Sequence, residues 1–221
     1  MTEPPFLGST RVFYDTVAAD YAEHLRAELA DRPMDRALLT VFAELVRAAG
    51  AGPVADLGCG PGAVTAQLHT LGLAVFGVDL SPQMVAQARQ AHPGLRFDEG
   101  SMSALDLPDG ALGGITAFYS IMHTPPELLP AVFAEFHRVL APGGHVLLAF
   151  LVGDEQFHRT EAYGRAVSID YFLRPAERVG DAVSRAGLVI HAQMLREPHG
   201  DAEKRPRAYL LARKPDETDQ P

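Results

Sequence analysis

The nine residues Val54-Ala55-Asp56-Leu57-Gly58-Cys59-Gly60-Pro61-Gly62 hold the densest group of chemistry-bearing positions in the chain. Pro53-Val54-Ala55 is apolar enough for a buried strand, and three glycines at alternate positions make a turn whose backbone a ligand can approach. Ala63 to Leu68 then continues as helix. A strand, turn and helix in this order present unpaired amides and the positive end of a helix dipole to a pocket. The same letters, Gly58-x-Gly60-x-x-Ala63 with Asp79 about 20 residues further on, also fit the loose dinucleotide fingerprint. Asp56 separates the two readings. A carboxylate two residues before the first glycine repels a pyrophosphate and attracts the ammonium of an amino-acid-like ligand. Asp79 closes the apolar run from Leu73 to Val78, where a carboxylate can accept both hydroxyls of a ribose. Its alternative role is to cap the next helix, although Ser81-Pro82 already supplies a cap and a proline at the first helical position.

At Asp56-x-Gly58-x-Gly60-x-Gly62 the chain resembles motif I of the class I S-adenosylmethionine-dependent methyltransferases, which runs acidic residue, x, Gly, x, Gly, x, Gly. Two further segments carry the resemblance. They are Phe76 to Pro82, and Arg138-Val139-Leu140-Ala141-Pro142-Gly143-Gly144, similar to the family's arginine-valine-leucine-x-proline-glycine-glycine. The likeness spans residues 13 to 214. It implies a Rossmann-like α/β fold, with a doubly wound, mostly parallel seven-stranded sheet, helices on both faces and an antiparallel last strand. It also implies S-adenosyl-L-methionine as cofactor, and methyl transfer to a small-molecule acceptor by in-line displacement at the sulfonium methyl.

Carried onto this chain, the resemblance places cofactor contacts at Asp56, Gly58, Gly60, Gly62, Asp79, Leu80, Met84, Ser101, Met102, Tyr119 and Ser120. Tyr14 and Tyr21 join them, because Tyr14-Asp15-x-x-Ala18-x-x-Tyr21 looks like the N-terminal segment that lids the cofactor in many small-molecule methyltransferases. The other reading of these tyrosines is a helix face packed on a core. Glu99-Gly100-Ser101-Met102 resembles the adenine-binding turn, with Ser101 where Asp is common; Met102 either lies against the adenine or fills a gap in the loop. Ser120 to Glu127 falls where the family holds its acceptor. This makes His123 the catalytic candidate, since an ordinary histidine titrates in the range that suits proton transfer at neutral pH. A hydrogen-bonded loop histidine is the alternative. Pro125-Pro126 lacks the preceding Asn or Asp and the following aromatic of the amide and exocyclic-amine methyltransferases, so that chemistry is set aside. The sulfonium methyl is already electrophilic, which leaves a strong base optional. No metal is expected. Two other functions stay open, an NAD-dependent Rossmann oxidoreductase, disfavoured by Asp56, and a cofactor-binding protein without catalysis.

These residues need elements to position them. Residues 13 to 30 show apolar and aromatic positions at helical spacing, with Thr16 as a cap and Tyr14, Ala18 and Tyr21 on one face. Met34 to Ala49 reads as a second amphipathic helix, Ser81 to His92, Glu127 to Leu140 and Pro175 to Ala186 as later ones. Strands are predicted at 73–79, 94–98, 112–119, 145–150, 188–190 and 207–213, besides the one that enters the glycine turn. Gly153 to Arg174 looks irregular and polar, a long loop of the kind that usually carries function. One domain over residues 1–221 is expected, divided into N-terminal helices forming a lid (10–50), a cofactor-binding core (53–150), and acceptor-side loops and last strands (151–214).

At 221 residues with 47% hydrophobic and 21% charged side chains, the composition is that of an ordinary globular domain. The tails 1–5 and 215–221 lack apolar anchors and are expected to fray. A net charge of −9 argues against a nucleic-acid backbone as partner. Cys59 is the single cysteine, which rules out an intrachain disulfide and suits a reducing, cytoplasmic setting. The most apolar run, Gly144 to Gly153, is too short to span a bilayer. A small molecule is the expected partner, with neither membrane nor nucleic acid, and a homodimer stays open.

Overall fold

Strand β1 (Val54–Leu57) is buried along its whole length and lies between two parallel neighbours, β2 (Val75–Asp79) and β4 (Leu112–Phe118). The computed structural model describes residues 4–25, 29, 31–50, 52–199 and 203–216. Outward from β2 comes β3 (Arg96–Glu99); outward from β4 come β5 (Leu140–Leu151), β9 (Arg207–Arg213) and β8 (Val189–Arg196). The sheet order is β3-β2-β1-β4-β5-β9-β8, with β9 antiparallel to both its neighbours. This is the expected seven-stranded, mostly parallel sheet with an antiparallel last strand. The chain reverses direction across the sheet between β1 and β4, where open α/β sheets leave a crevice at the carboxyl ends of their strands.

Side chains alternate between two cores, because successive residues of a strand face opposite sides. On one side Ala55, Ile115, Val146 and Leu148 meet Phe133 and Phe136 of α5 (Leu129–Val139) and Val179 and Val183 of α6 (Ala176–Arg185). On the other, Val54, Leu147 and Ala149 meet Leu39, Phe42 and Val46 of α2 (Pro33–Ala49). The shorter helices α3 (Ala63–Thr70) and α4 (Pro82–Ala91) follow β1 and β2. Ser81 caps α4 as its sequence promised, its hydroxyl accepting the Met84 amide at 3.1 Å.

The structure departs from the sequence reading at both ends of the site. The first helix, α1, runs Pro5–Leu25, so it begins well before residue 13. Thr16 is not a cap but sits mid-helix, its hydroxyl turned back to the Val12 carbonyl at 2.7 Å. Residues 26–28 and 30 of the expected helix lie outside the described residues. The stretch 153–174 is not an irregular loop: β6 (Gln156–Ala162) and β7 (Arg165–Phe172) form an antiparallel hairpin. Its turn is Tyr163-Gly164, both at positive φ (52° and 68°), as two-residue hairpin turns favour. The hairpin buries Ala162 and Ile169 against Phe13 and Val17 of α1. Strand β8 is also longer than 188–190. Of the tails expected to fray, Pro5 opens α1 and Asp216 accepts from Arg213 at 2.7 Å, while 1–3 and 217–221 lie outside the described residues. Among the described residues no helix is long and apolar enough to cross a membrane.

Candidate active site

The chain leaves β1 in a turn whose tightness only glycine tolerates. Gly58 has φ 70° and Gly60 φ 52°, and a Cβ on Gly58 would stand 2.4 Å from the Ser120 Cβ. At Gly60 such an atom would have, among the described residues, only Tyr21 within 4 Å, at 3.9 Å, so the backbone here borders open space. Asp79, at the end of β2, braces the turn: one oxygen accepts the Gly60 amide at 2.8 Å and the other the Ser81 amide at 2.9 Å. A carboxylate offers about four acceptor sites in all, so Asp79 keeps capacity beyond these two amides. Burial raises the Asp79 carboxyl above the usual range, and these amide bonds work against that rise.

Asp56 lies on β1 directly beside Thr116 of β4. It is buried, and its two oxygens accept the hydroxyls of Thr65 (2.6 Å) and Thr116 (2.9 Å). Burial pushes its carboxyl up to about 6, against the lowering effect of the two hydroxyls. At neutral pH the group is still mostly ionised and contributes a negative field beside the glycine turn.

Facing this wall is α1. Tyr14 and Tyr21 stand edge to face with centroids 5.7 Å apart, and Phe6, Leu7 and Thr10 extend the surface toward the helix start. The helix is fastened over the strand ends by Asp15, which accepts the Ser81 hydroxyl (2.6 Å) and the Gln83 amide (3.2 Å) at the start of α4. Arg11 adds a bond to the Leu80 carbonyl at 3.3 Å. The cavity between the walls is bordered by Tyr14, Tyr21, Gly58, Gly60, Asp79, Leu80, Ser101, Met102, Tyr119, Ser120 and His123. Thr10 Oγ1 and Ser120 Oγ, both on this lining, are buried without a hydrogen-bond partner among the described residues. A second cavity adjoins it across Tyr21, Gly58, Gly60 and Tyr119, and Asp56 borders that one.

His123 ends a short 3₁₀ turn (Ile121–His123) and is 4% exposed, caged by Phe13, Tyr14 and Tyr171. Its Nδ1 is 2.9 Å from the Asp170 carbonyl of the hairpin and its Nε2 is 3.0 Å from the Tyr14 hydroxyl. A carbonyl only accepts, so Nδ1 carries the proton, Nε2 offers its lone pair, and Tyr14 donates to it. Burial pushes the imidazole down to about 4, well below the near-neutral titration expected from its type. It also raises the Tyr14 phenol well above its ordinary value. The pair is therefore neutral at pH 7.

A glycine turn, a buried carboxylate that braces it and a helical cover at the sheet's reversal point coincide with a family match. Residues 54–144 fit the family described as "Methyltransferase domain". Over that segment, from β1 into β5, the chain is similar to the class I S-adenosylmethionine-dependent methyltransferases. Among its relatives are a demethylmenaquinone methyltransferase of Beutenbergia cavernae and a trans-aconitate 2-methyltransferase of Escherichia coli. The first is 29% identical over 62% of this chain and 55% of its own length; the second is 38% identical over 52% and 44%. The chain thus spans about half the length of these relatives. In fold it is similar to the structure described as the DhpI-SAH complex, at 22% identity with a TM-score of 0.74 over 97% of this chain and 99% of that one.

Two residues assigned to the cofactor site of this methyltransferase domain lie away from both cavities. Met84 is fully buried on the inner face of α4. Gly62, at the start of α3, is hemmed in by Phe97, which a Cβ would meet at 2.8 Å, so this glycine serves packing. Ser101 reaches the cavity, but its hydroxyl is shared with Ser103 at 2.8 Å. Sequence reasoning missed Phe6, Leu7 and Thr10, although they continue the spacing of Phe13, Tyr14 and Val17 backward by one turn and more. It also missed Thr65 and Thr116, which hold Asp56, and Arg32, Asp35 and Arg207 around Tyr119.

Proposed function

We propose that the protein transfers the methyl group of S-adenosyl-L-methionine to a small-molecule acceptor, within a single domain whose N-terminal helices act as a lid. The observation that carries this reading is the cavity in which the glycine turn and Asp79 meet His123 and two hydroxyls, Thr10 and Ser120, that have no hydrogen-bond partner among the described residues. These residues fit the cofactor: open space at Gly60, spare lone pairs on Asp79 for two ribose hydroxyls, and the apolar side chains of Leu80 and Met102 for a flat ring. Asp56 supplies the charge that favours the ammonium end. When bound, the cofactor supplies an electrophilic methyl group.

The work left to the chain is to align a nucleophile and keep water out. Phe6, Leu7, Tyr14 and Tyr21 close the cavity from above, and Asp15 and Arg11 latch the helix that carries them. His123 Nε2 takes the proton of the Tyr14 hydroxyl as the Tyr14 oxygen takes one from a protonated acceptor, while the Asp170 carbonyl holds the ring in the required tautomer. An acceptor that arrives ionised needs no such transfer. The relatives named for demethylmenaquinone and trans-aconitate support a small acceptor, and the net charge of −9 opposes a nucleic acid. A cytoplasmic setting is part of this reading.

Calorimetry with S-adenosylhomocysteine and with NAD tests it. Saturable binding of the sulfur compound and none of NAD is expected; NAD binding with no response to the sulfur compound overturns the proposal.

A further inference from the structure

Pro125 and Pro126 bring no backbone N–H to the end of the 3₁₀ turn that carries His123. The turn and Thr124 are buried, so the carbonyls there need a donor from elsewhere in the chain. Arg174 supplies it. Its guanidinium donates to the Thr124 carbonyl and, in a longer bond of 3.4 Å, to the Ile121 carbonyl of the turn; it also donates to the Phe172 carbonyl at the end of β7, at 2.9 Å. The backbone of Arg174 is itself tied to the main sheet, pairing with Val152 just beyond β5. One side chain thus links the sheet, the hairpin and the turn.

Arg174 is 7% exposed, and its Nε–H is buried with no partner among the described residues. Burial pushes the guanidinium down to about 10, with Glu127 opposing the shift, so it is still charged at pH 7. Burying a cation against carbonyls alone is costly, and an apolar side chain would occupy the place with less desolvation. The fork does what such a side chain cannot, since it sets the distance between two backbones. Among the described residues no backbone hydrogen bond joins the turn to β7. Their polar links are the bond from His123 Nδ1 to the Asp170 carbonyl, at 2.9 Å, and those made by Arg174. Asp170 lies two residues before Phe172 on the same strand, so the carbonyl that orients the imidazole sits beside the one that Arg174 holds.

We infer that Arg174 is a positioning residue for His123, holding the turn and β7 at the separation at which the Asp170 carbonyl fixes the tautomer that leaves Nε2 free. The inference rests on the role given to His123 in the methyl transfer proposed above. Arg174 borders neither of the two cavities, so it acts through the histidine and not on a ligand. Nor does it act by charge: the charged side chains that bear on the imidazole are Arg159 and Asp170, and Tyr14 and Tyr171 face it from α1 and β7.

The test is nitrogen-15 spectroscopy of the full chain labelled at histidine, which shows which ring nitrogen carries the proton; loss of signals in His123→Gln identifies His123 among the nine histidines. In the wild type a single tautomer, protonated at Nδ1, should persist without titrating down to pH 5, because burial holds the imidazole at about 4. Arg174→Met should mix the two tautomers and raise the midpoint by at least about one pH unit toward the ordinary 6.5. Calorimetric affinity for S-adenosylhomocysteine should stay within about twofold, as expected of a residue apart from both cavities. Arg174→Lys, which keeps the charge without the fork, should recover part of the wild-type behaviour, and Arg178→Met, which removes an exposed pair with Asp154, should change nothing at His123. Arg174→Gln, judged by the same signals, serves if Arg174→Met fails to fold. An unchanged tautomer and midpoint in the folded variant overturns the inference, as does complete recovery by lysine, which would make charge the cause. Failure of wild-type protein to bind S-adenosylhomocysteine would instead strike the methyltransferase reading and leave the spectra to decide the role of Arg174.

Discussion

The two walls of the cavity are built in different ways. The wall formed by β1, β2 and the turn after β1 is made of backbone: amides of the glycine turn, braced by Asp79 and shaped by φ values that glycine alone adopts easily. The facing wall is made of side chains brought from far apart in the chain, namely Tyr14 and Tyr21 from α1, His123 from a 3₁₀ turn, and the hairpin that orients it through Asp170. A backbone wall fixes residue type at fixed spacing and so leaves a signature. A side-chain wall can be assembled from many spacings and leaves little.

The sharpest way to break the contrast is at Gly58. Gly58→Ala puts a Cβ into Ser120 at a φ of 70°, so we expect loss of S-adenosylhomocysteine binding and destabilisation by roughly 2–4 kcal/mol, read by calorimetry and urea denaturation. Unchanged binding would show that the turn is not held as tightly as its contacts require.

On the opposite wall, His123→Ala should lower turnover by about 10²- to 10⁴-fold with cofactor affinity nearly intact, provided the acceptor must lose a proton. Its pH behaviour separates it from Asp56. The folded imidazole titrates at about 4 against an ordinary 6.5, so the unfolded chain binds the extra proton and stability falls as pH drops from 6.5 toward 4. Asp56, at about 6 against 3.8, has the opposite sign: its contribution is full below 3.8 and declines as pH rises to about 6. His123→Gln removes only the first slope. Relative to wild type, that variant should therefore gain on the order of 2–3 kcal/mol between pH 7 and pH 4 in urea titrations. A parallel pH dependence of the two proteins would mean that His123 is not held neutral.

What could be read in advance follows the same division. The run Asp56-x-Gly58-x-Gly60-x-Gly62 gave away β1, the turn and α3, because a close backbone approach forbids other residues there. Gly62 nevertheless lies away from both cavities, since spacing cannot tell a glycine that faces a ligand from one that makes room for Phe97. The hairpin at 156–172 was hidden by the polar faces of His158, Arg159 and Glu161. Its signals were present in the alternation of Val167, Ile169 and Tyr171 and in the Tyr163-Gly164 turn. Arg32 and Arg207 meet at Tyr119 only through the crossover that inserts β9 beside β5, and no local pattern announces that.

A smaller effect sharpens the backbone wall. Asp79→Ala should weaken S-adenosylhomocysteine binding by about 1–3 kcal/mol, through lost ribose contacts and a turn no longer tied at Gly60. An unaltered dissociation constant would reduce Asp79 to its bonds with Gly60 and Ser81.

The central claim is that both walls close on one ligand, and hydrogen exchange with and without S-adenosylhomocysteine tests it most directly. The account predicts slowed exchange together in residues 56–62 and in α1 at 5–25, since the ligand would bridge the turn and the helix above it. Protection confined to 56–62, with α1 exchanging as fast as before, would contradict it and leave Tyr14 and Tyr21 as core residues of a helix that takes no part in binding.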